Sequence, residues 1–376
     1  MRKRLLFAAY KHDPTDPDAA SGSEFHFHRA LSRHFDVEVV GPLLRPAAPL
    51  ERIWRKLYKR ITGTRWAKFT LTDSRRASRT LATTVRTKRP DLVFTQYPNL
   101  LAYQTLDAPA IYRLDTSFLG WQQGWPEFGR LALAVCRAQE RRAFRRAAKI
   151  VTHSEWSKHV IVDGYGIDPD KIIVFANPSG LPDGAVPSDP IYPSLTSQDE
   201  PLRLLLVGRD SRRKGVDIGI DIVEKLNHSG QPAHLTVCGV AGDNTQHVSF
   251  VGPYRKSVPN ELDAYLYLYR CAHLLIHPAR FEAAGIVPSE AAGFGIPTLT
   301  NDVGGLATTV EHGVSGIVLP GKSPAEAYVR AIRDLIDNGR YHDLCRSARA
   351  RYEAELDWRV AGDRLAQALD SNSVRA

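Results

Sequence analysis

Methionine occurs once and cysteine four times in the 376 residues, and no apolar run approaches the ~20 residues that a membrane span needs. The cysteines, Cys136, Cys238, Cys271 and Cys345, are scattered without metal or redox spacing, so the expectation is a cytoplasmic protein with reduced thiols and no metal. The first apolar run, Leu5 to Tyr10, stops at Lys11, His12 and Asp13. That is short for the hydrophobic region of a signal peptide and reads as a first buried strand. No low-complexity block or short repeat is present, and acidic residues are in deficit: 41 against 50 Lys and Arg, for a net charge of +9. A basic balance of this size suits an acidic partner: nucleic acid, anionic lipid or a phosphorylated substrate. A nucleic-acid-binding protein is the weakest of these readings, because no helix-turn-helix, RNA-binding aromatic signature or zinc spacing accompanies the charge.

What the chain does have is a recurring alternation. Short aliphatic runs in the first half ("RLLFAAY", "VEVVGP", "DLVFTQY", "AIYRLD", "KIVTHS", "KIIVFAN") and in the second ("LRLLLVG", "HLTVCG", "VSFVGP", "HLLIHPA", "IPTLTN", "GIVLP") are separated by helix-like stretches. Nearly continuous apolar strands alternating with amphipathic helices predict α/β domains with parallel sheets covered on both faces. Asn177 to Pro201, rich in Pro, Gly and Ser, reads as a linker region. The expected organisation is a doubly wound domain over 1–180, a linker over 181–201, a second doubly wound domain over 202–355, and a C-terminal helix over 356–376. Ligands are then expected at the carboxyl ends of the strands, in the cleft between domains.

"RFEAAGIVPSEAAGFGIPTLTN" places Glu282 and Glu290 in a segment otherwise almost wholly small or aliphatic. On one continuous helix the two carboxylates would stand about 12 Å apart, too far to act as a pair on one bond. Gly285 and Pro288 argue against continuity, since Pro is tolerated in a first helical turn and poorly elsewhere. Glu282 is therefore expected on a loop, Glu290 in the opening turns of a short helix, and Gly295 just past its end. Unbonded N–H groups at Gly285, Ile286 and Val287 would suit a phosphate, and flanking carboxylates would accept hydrogen bonds from hydroxyls on either side. Two surface glutamates on an ordinary helix remain the plain alternative.

In "LLLVGRDSRRKGVDIGIDIVEKL", a buried strand runs into a turn carrying Gly208, Arg209 and Lys214, with a helix starting near Gly215. Cations there would neutralise a pyrophosphate; a solvated charge run is the alternative. The order Lys then Gly, with no hydroxyl following, is not a Walker A loop. Gly304 and Gly305 follow another strand, and Gly22 precedes a helix after the first strand, where it could bring the helix start near a phosphate.

Together these residues resemble the retaining, nucleotide-sugar-dependent GT-B glycosyltransferases of family 4. The resemblance runs in order through Gly22, "SEWSKHVIVDGYGIDPDKIIVFANP", the Gly-Arg and Lys-Gly pairs at 208 to 215, "FEAAGIVPSEAAGFGIPTLT", "VGG" and "HGVSGIVLP". It implies two Rossmann-like domains facing a cleft and transfer of a hexose from a UDP- or GDP-sugar to a glycan, lipid-linked or small-molecule acceptor. The usual mechanism of the family is front-face attack, without metal or other cofactor. By the same resemblance Arg209 and Lys214 hold the diphosphate, Glu290 the ribose and Glu282 the hexose. Gly208, Gly285, Ile286 and Val287 line the donor, and Gly22 meets the pyrophosphate. The chain departs from the family pattern in having "SGS" around Gly22, Thr308 in place of a glutamate after "GG", and Arg113 and Asp115 where a histidine is common. Asp115 is taken as the catalytic candidate there, with a strand-end cap as its alternative. A nucleotide-sugar epimerase and a GT-B phosphorylase share the architecture. A metal-dependent GT-A enzyme would want Asp-X-Asp; the triplets at 16–18 and 168–170 have that form but lie in Pro-containing turns.

The positive charge is concentrated in Glu51 to Phe69, which carries Arg52, Arg55, Lys56, Lys59, Arg60, Arg65 and Lys68, with Trp54, Leu57, Tyr58 and Ile61 on one helical face. This fits peripheral docking on an anionic membrane, at the inner face for a cytoplasmic protein, and equally a core-facing aromatic stripe with a solvated basic back. Arg137 to Lys149 could extend the basic patch.

Overall fold

A computed structural model describes residues 2–18, 22–45, 49–190, 192 and 200–370. Ser21, most of the 191–199 stretch of the expected linker, and the last six residues lie outside the described set. The chain forms two compact units, one comprising 1–175 with 362–376 and the other 176–361.

In unit 1 six strands, β1 (Arg4–Ala8), β2 (Asp36–Val40), β3 (Leu92–Thr95), β4 (Ala110–Leu114), β5 (Lys149–Thr152) and β6 (Ile172–Val174), form one sheet in the order β2-β1-β3-β4-β5-β6. Every pairing is parallel. The central strands β3 and β4 are buried along their whole length, which is why their sequences are continuous apolar runs, whereas the edge strand β2 is partly open. Alternation along β1 sends Leu6 and Ala8 into a core with Leu81, Val93, Tyr112 and Phe144. Phe7 turns to the other face, its ring 5.1 Å from that of Phe94. Each such fully buried Leu or Phe contributes about 1.5–3 kcal/mol. The final turns of the helix Trp358–Asp370 belong to this unit: His34 Nε2 lies 2.8 Å and Arg33 3.2 Å from the Asp363 carboxylate, with Leu365 and Leu369 buried.

Unit 2 repeats the plan with β7 (Leu202–Val207), β8 (Ala233–Cys238), β9 (Val248–Val251), β10 (Leu274–His277), β11 (Thr298–Asn301) and β12 (Gly316–Leu319), in the order β12-β11-β10-β7-β8-β9 and again parallel. Period-two alternation divides β7 between two cores. Leu202, Leu204 and Leu206 pack under the helix Val216–His228, while Leu205 and Val207 pack with Tyr265 and Tyr269 of the helix Pro259–Cys271. Residues 176–190 are built into this unit, with Leu181 in its core and Ser179 N–H bonded to Leu356 O at 3.0 Å.

In a doubly wound sheet the crevice opens where the strand order reverses, at the carboxyl ends of the two strands that diverge. That point lies between β1 and β3 in unit 1 and between β7 and β10 in unit 2. The loops after β7 and β10 are those that carry Lys214 and Glu282.

Candidate active site

After β7 the chain turns at once into the short helix Ser211–Lys214, whose first turn is capped by Asp210, the side chain accepting from Arg213 N–H at 3.0 Å. Gly215 then adopts φ 71°, and a Cβ there would stand 2.1 Å from Pro278 O, so only glycine lets this turn lie against the loop after β10. The close approach brings Lys214 to the Glu282 carboxylate as an ion pair, with Arg213 Nη1 on the same Oε2 at 2.9 Å. Arg213 also donates to Phe281 O at 3.2 Å, fixing the loop itself. Gly208 makes room beneath, since a Cβ there would meet Lys214 Cγ at 2.5 Å. On the far side Gly304 lets a second loop touch the backbone of Glu282, its N-terminal approach allowing Gly305 N–H to donate to Glu282 O at 2.9 Å.

Burial by itself raises the pKa of Glu282, but Lys214, then Arg213, outweigh it and hold the carboxyl down to about 2. His277, at the end of β10, lies 3.9 Å from the same carboxylate. Burial first and Lys214 second depress its pKa to about 3, so the ring is neutral, and neither ring nitrogen has a hydrogen-bond partner among the described residues.

Glu290 sits on the helix Val287–Gly293, which has Pro288 in its first turn and Gly295 at φ 67° just beyond its end. The N–H groups of Gly285, Ile286 and Val287 have no acceptor among the described residues. The Glu290 side chain has no solvent exposure. Its Oε1 pairs with Lys256, and its Oε2 accepts from Tyr265 OH at 2.6 Å and Tyr269 OH at 2.7 Å. Lys256 also donates to Gly180 O at 3.1 Å and stands over the Tyr265 ring.

Unit 2 thus brings together Gly208, Lys214, Glu282, Gly285, Ile286, Val287 and Glu290 around the ends of β7 and β10, while Arg209 is exposed and has no ion pair among the described residues. Sequence reasoning missed five members: Arg213, His277, Lys256, Tyr265 and Tyr269. Arg213 adjoins Lys214, and Tyr265 and Tyr269 are spaced i, i+4 so as to share a helix face, but nothing local says that these side chains converge on the two glutamates.

Gly22 and Asp115 belong to unit 1. Gly22, at φ 79°, occupies the N-cap of the helix Ser23–Ser32 and provides no side-chain cap. Asp115 follows β4 and caps no helix among the described residues; Ser117 is the cap of the next helix, accepting from Gly120 N–H at 3.1 Å. The Asp115 carboxylate is about half exposed and is held by Arg113 Nη2 at 2.6 Å. Buried Arg113 is fixed in turn by Gln96 at 2.7 Å and by His153 Nε2, which accepts from Nε at 2.8 Å. Burial and then Arg113 lower the His153 pKa to about 3, leaving Nδ1–H to donate to Phe175 O at 2.7 Å. Asp115 lines a cavity of about 740 Å³ in unit 1, beside Lys11, Tyr97 and Trp121.

Both Asp-X-Asp triplets lie in turns. Asp168 caps the turn Pro169–Lys171, Asp16 lies in a turn, and no group of metal-ligating residues occurs among the described residues. The helix Pro49–Thr62 buries none of its residues, so its aromatic stripe is not core-facing, and Leu50, Ile53, Trp54, Leu57 and Ile61 are exposed. The segment beyond Thr62 is not helical. Two arginines of the helix Arg130–Arg146 donate to backbone carbonyls within the unit, Arg137 to Gly164 O at 3.2 Å and Arg146 to Ala102 O at 2.5 Å, and both keep their positive charge. No helix among the described residues is long and apolar enough to cross a membrane.

Comparison with known proteins adds to this geometry. Residues 25–179 match the family model for Glycosyltransferase Family 4, and residues 189–352 match that for Glycosyl transferases group 1. A glycogen synthase of Mycobacterium tuberculosis is 27% identical over 299 residues, spanning 76% of this chain and 69% of the relative. Among solved structures, sucrose-phosphate synthase from Thermosynechococcus elongatus superposes with a TM-score of 0.67 at 17% identity, covering 98% of both chains. Anabaena HepE, solved in complex with UDP-glucose, does so with a TM-score of 0.65 at 16% identity, covering 98% of this chain and 99% of that one.

Proposed function

Because the chain belongs to the GT-B glycosyltransferases of family 4, we propose that it moves a hexose from a UDP- or GDP-sugar to a glycan, lipid-linked or small-molecule acceptor, with retention at the anomeric carbon and without a metal. The observation that carries this reading is the arrangement of Lys214, Arg213 and Glu282 at the reversal point between β7 and β10, with the unbonded amides of Gly285 to Val287 alongside. The complex of HepE with UDP-glucose supports a uridine donor.

In the proposed reaction the bond between the anomeric carbon and the diphosphate breaks, its electron pair going to the phosphate oxygen. The acceptor hydroxyl forms the new bond on the same face and passes its proton to the departing phosphate. Cations aimed at the growing charge lower the barrier most where they are already held in place. Lys214 meets that condition, being fixed by Glu282 before any ligand arrives, and Arg209 brings a second, unpaired charge. Glu282, kept ionised by its two cations, accepts from hexose hydroxyls, and Glu290 from the ribose. Asp115, anchored by Arg113, faces the acceptor cavity of unit 1.

The exposed apolar residues of the helix Pro49–Thr62, together with the cations of 51–69, support docking on an anionic membrane. Co-sedimentation with vesicles is expected to rise with anionic lipid and fall with salt; no binding at any salt concentration refutes the docking.

A thermal-shift panel of UDP-, GDP- and ADP-sugars tests the function. Stabilisation by a uridine or guanosine donor is expected, followed by transfer that survives a chelator and keeps the donor's anomeric configuration. Turnover without an acceptor would establish an epimerase instead, and strict dependence on free phosphate a phosphorylase.

A further inference from the structure

The cavity of unit 1 holds more positive charge than its carboxyls absorb. Seven cationic side chains and four carboxyls line it. Asp115 is taken by Arg113 and Glu127 by Arg65, at 2.6 and 3.1 Å. Glu24 accepts from Tyr97 OH at 2.6 Å, and Glu140 from Phe118 N–H at 2.9 Å and from Tyr165 OH. Arg55 pairs outside the lining with Glu51, at 2.6 Å. The four remaining cations, Lys11, Lys56, Lys59 and Lys68, have no ion-pair partner among the described residues. All four lysine residues are exposed, while burial around the Lys68 ammonium group, then the Lys11 charge, lower the pKa of Lys68. The lining also includes the aromatic residues Trp66, Phe69, Trp121 and Phe128.

We propose that this cavity is an anion subsite of the acceptor, in which Lys11, Lys56, Lys59 and Lys68 bind a phosphate group carried by the molecule to be glycosylated. The inference rests on the proposed transferase function and names the acceptor class. Unpaired ammonium groups gathered on one cavity lining repel one another, and a ligand anion relieves that repulsion. Four such groups suit a phosphate, with about −1.5 to −2 charge and three strong acceptor oxygens, better than a carboxylate with one charge. The aromatic residues of the lining give the sugar or ring portion of the acceptor an apolar surface, the usual complement to a few convergent polar groups in a small-molecule pocket.

Thermal shift and calorimetry on the full chain, in saturating UDP so that the donor site is filled, test this. Inorganic phosphate and glucose 6-phosphate are expected to stabilise the protein where glucose does not, and Lys11→Gln with Lys68→Gln is expected to weaken glucose 6-phosphate binding about tenfold or more while leaving the UDP shift intact. The intact UDP shift shows that the variant is folded. Phosphate binding that survives both substitutions overturns the assignment, and equal binding of glucuronate overturns the choice of phosphate. Capture by phosphatidic acid vesicles but not by phosphatidylserine vesicles or soluble phosphates, abolished in the same variant, supports the subsite with a lipid headgroup as its source, whereas equal capture by phosphatidylserine vesicles reports the docking surface and overturns the subsite. A protein that binds glucose 6-phosphate but no nucleotide sugar refutes the transferase function and leaves the anion subsite standing.

Discussion

Tyr269 donates a 2.7 Å hydrogen bond to Glu290, a carboxylate with no solvent exposure whose other oxygen is paired with Lys256. Burial, followed by the Glu290 charge, raises the pKa values of Tyr265 and Tyr269 far above the ordinary, so both hydroxyls remain donors at any working pH. Glu290 is thus held from the core side by two fixed tyrosines and from the open side by one partly exposed lysine. For a ribose to reach it, the lysine is the partner that must yield. Lys256→Met is expected to lower the melting temperature, since it leaves a buried carboxylate short of its counter-charge, and to retain or improve UDP affinity by calorimetry. A stable Lys256→Met protein that no longer binds UDP would instead place Lys256 among the groups that hold the nucleotide.

The two glutamates are expected to fail differently when removed. Glu290→Ala weakens free UDP by about 10- to 100-fold, the worth of hydrogen bonds from ribose hydroxyls to a charged acceptor. Glu282→Ala leaves free UDP affinity within a few-fold and lowers the transfer rate by about two to three orders of magnitude, as for loss of a preorganised polar group at the reacting centre. Calorimetry with UDP and a transfer assay separate the two. Equal effects on UDP binding would contradict the assigned roles.

Glu282 also predicts the shape of the acid limb of stability. Its pKa falls from an ordinary 4.5 to about 2 in the folded chain, because Lys214 and Arg213 overcome the burial that would raise it. A depressed folded value means stabilisation that is fully present above pH 4.5 and is lost as the pH falls through about 2. Glu282→Gln should therefore be less stable than the parent at pH 7, and the difference should shrink between pH 4.5 and 2. A pH-independent gap in melting temperature would show that the pair contributes nothing through charge.

Much of this site could be read from the sequence because it is encoded locally. Pro288 six residues after Glu282 forces a helix start between the two glutamates, and Gly285 and Gly295 mark its ends, so a loop position for Glu282 and a helical one for Glu290 follow from backbone chemistry alone. All twelve strands were visible as aliphatic runs, the inner ones nearly uninterrupted because both faces of a central parallel strand are buried, the partly open edge strands β2 and β9 with polar residues among the aliphatic ones. The partners of the glutamates were hidden because they come from elsewhere in the chain. Lys256 is 34 residues from Glu290. Arg213 is 69 residues from Glu282, which it reaches only through the contact that Gly215 permits. The same distance effect explains why Lys214, which reads as a free cation in "RDSRRK", is engaged by Glu282.

Glu140 carries the opposite sign to Glu282. It is fully buried at the wall of the unit 1 cavity, and burial pushes its pKa up to about 8, against hydrogen bonds from Tyr165 and Phe118 that lower it. A raised folded value means that the fold favours the protonated form. The associated stability is fully present below the unfolded value near 4.5 and is lost as the pH rises through about 8. Glu140→Gln keeps an oxygen for Phe118 N–H and Tyr165 OH but cannot ionise. Its melting temperature is expected to hold steady between pH 5 and 9 over a range where the parent declines, so that the variant overtakes the parent at the alkaline end. Parallel curves would mean that Glu140 ionises in the fold without cost, and that the Phe118 and Tyr165 contacts, together with the cations around the cavity, stabilise its charge more than burial opposes it.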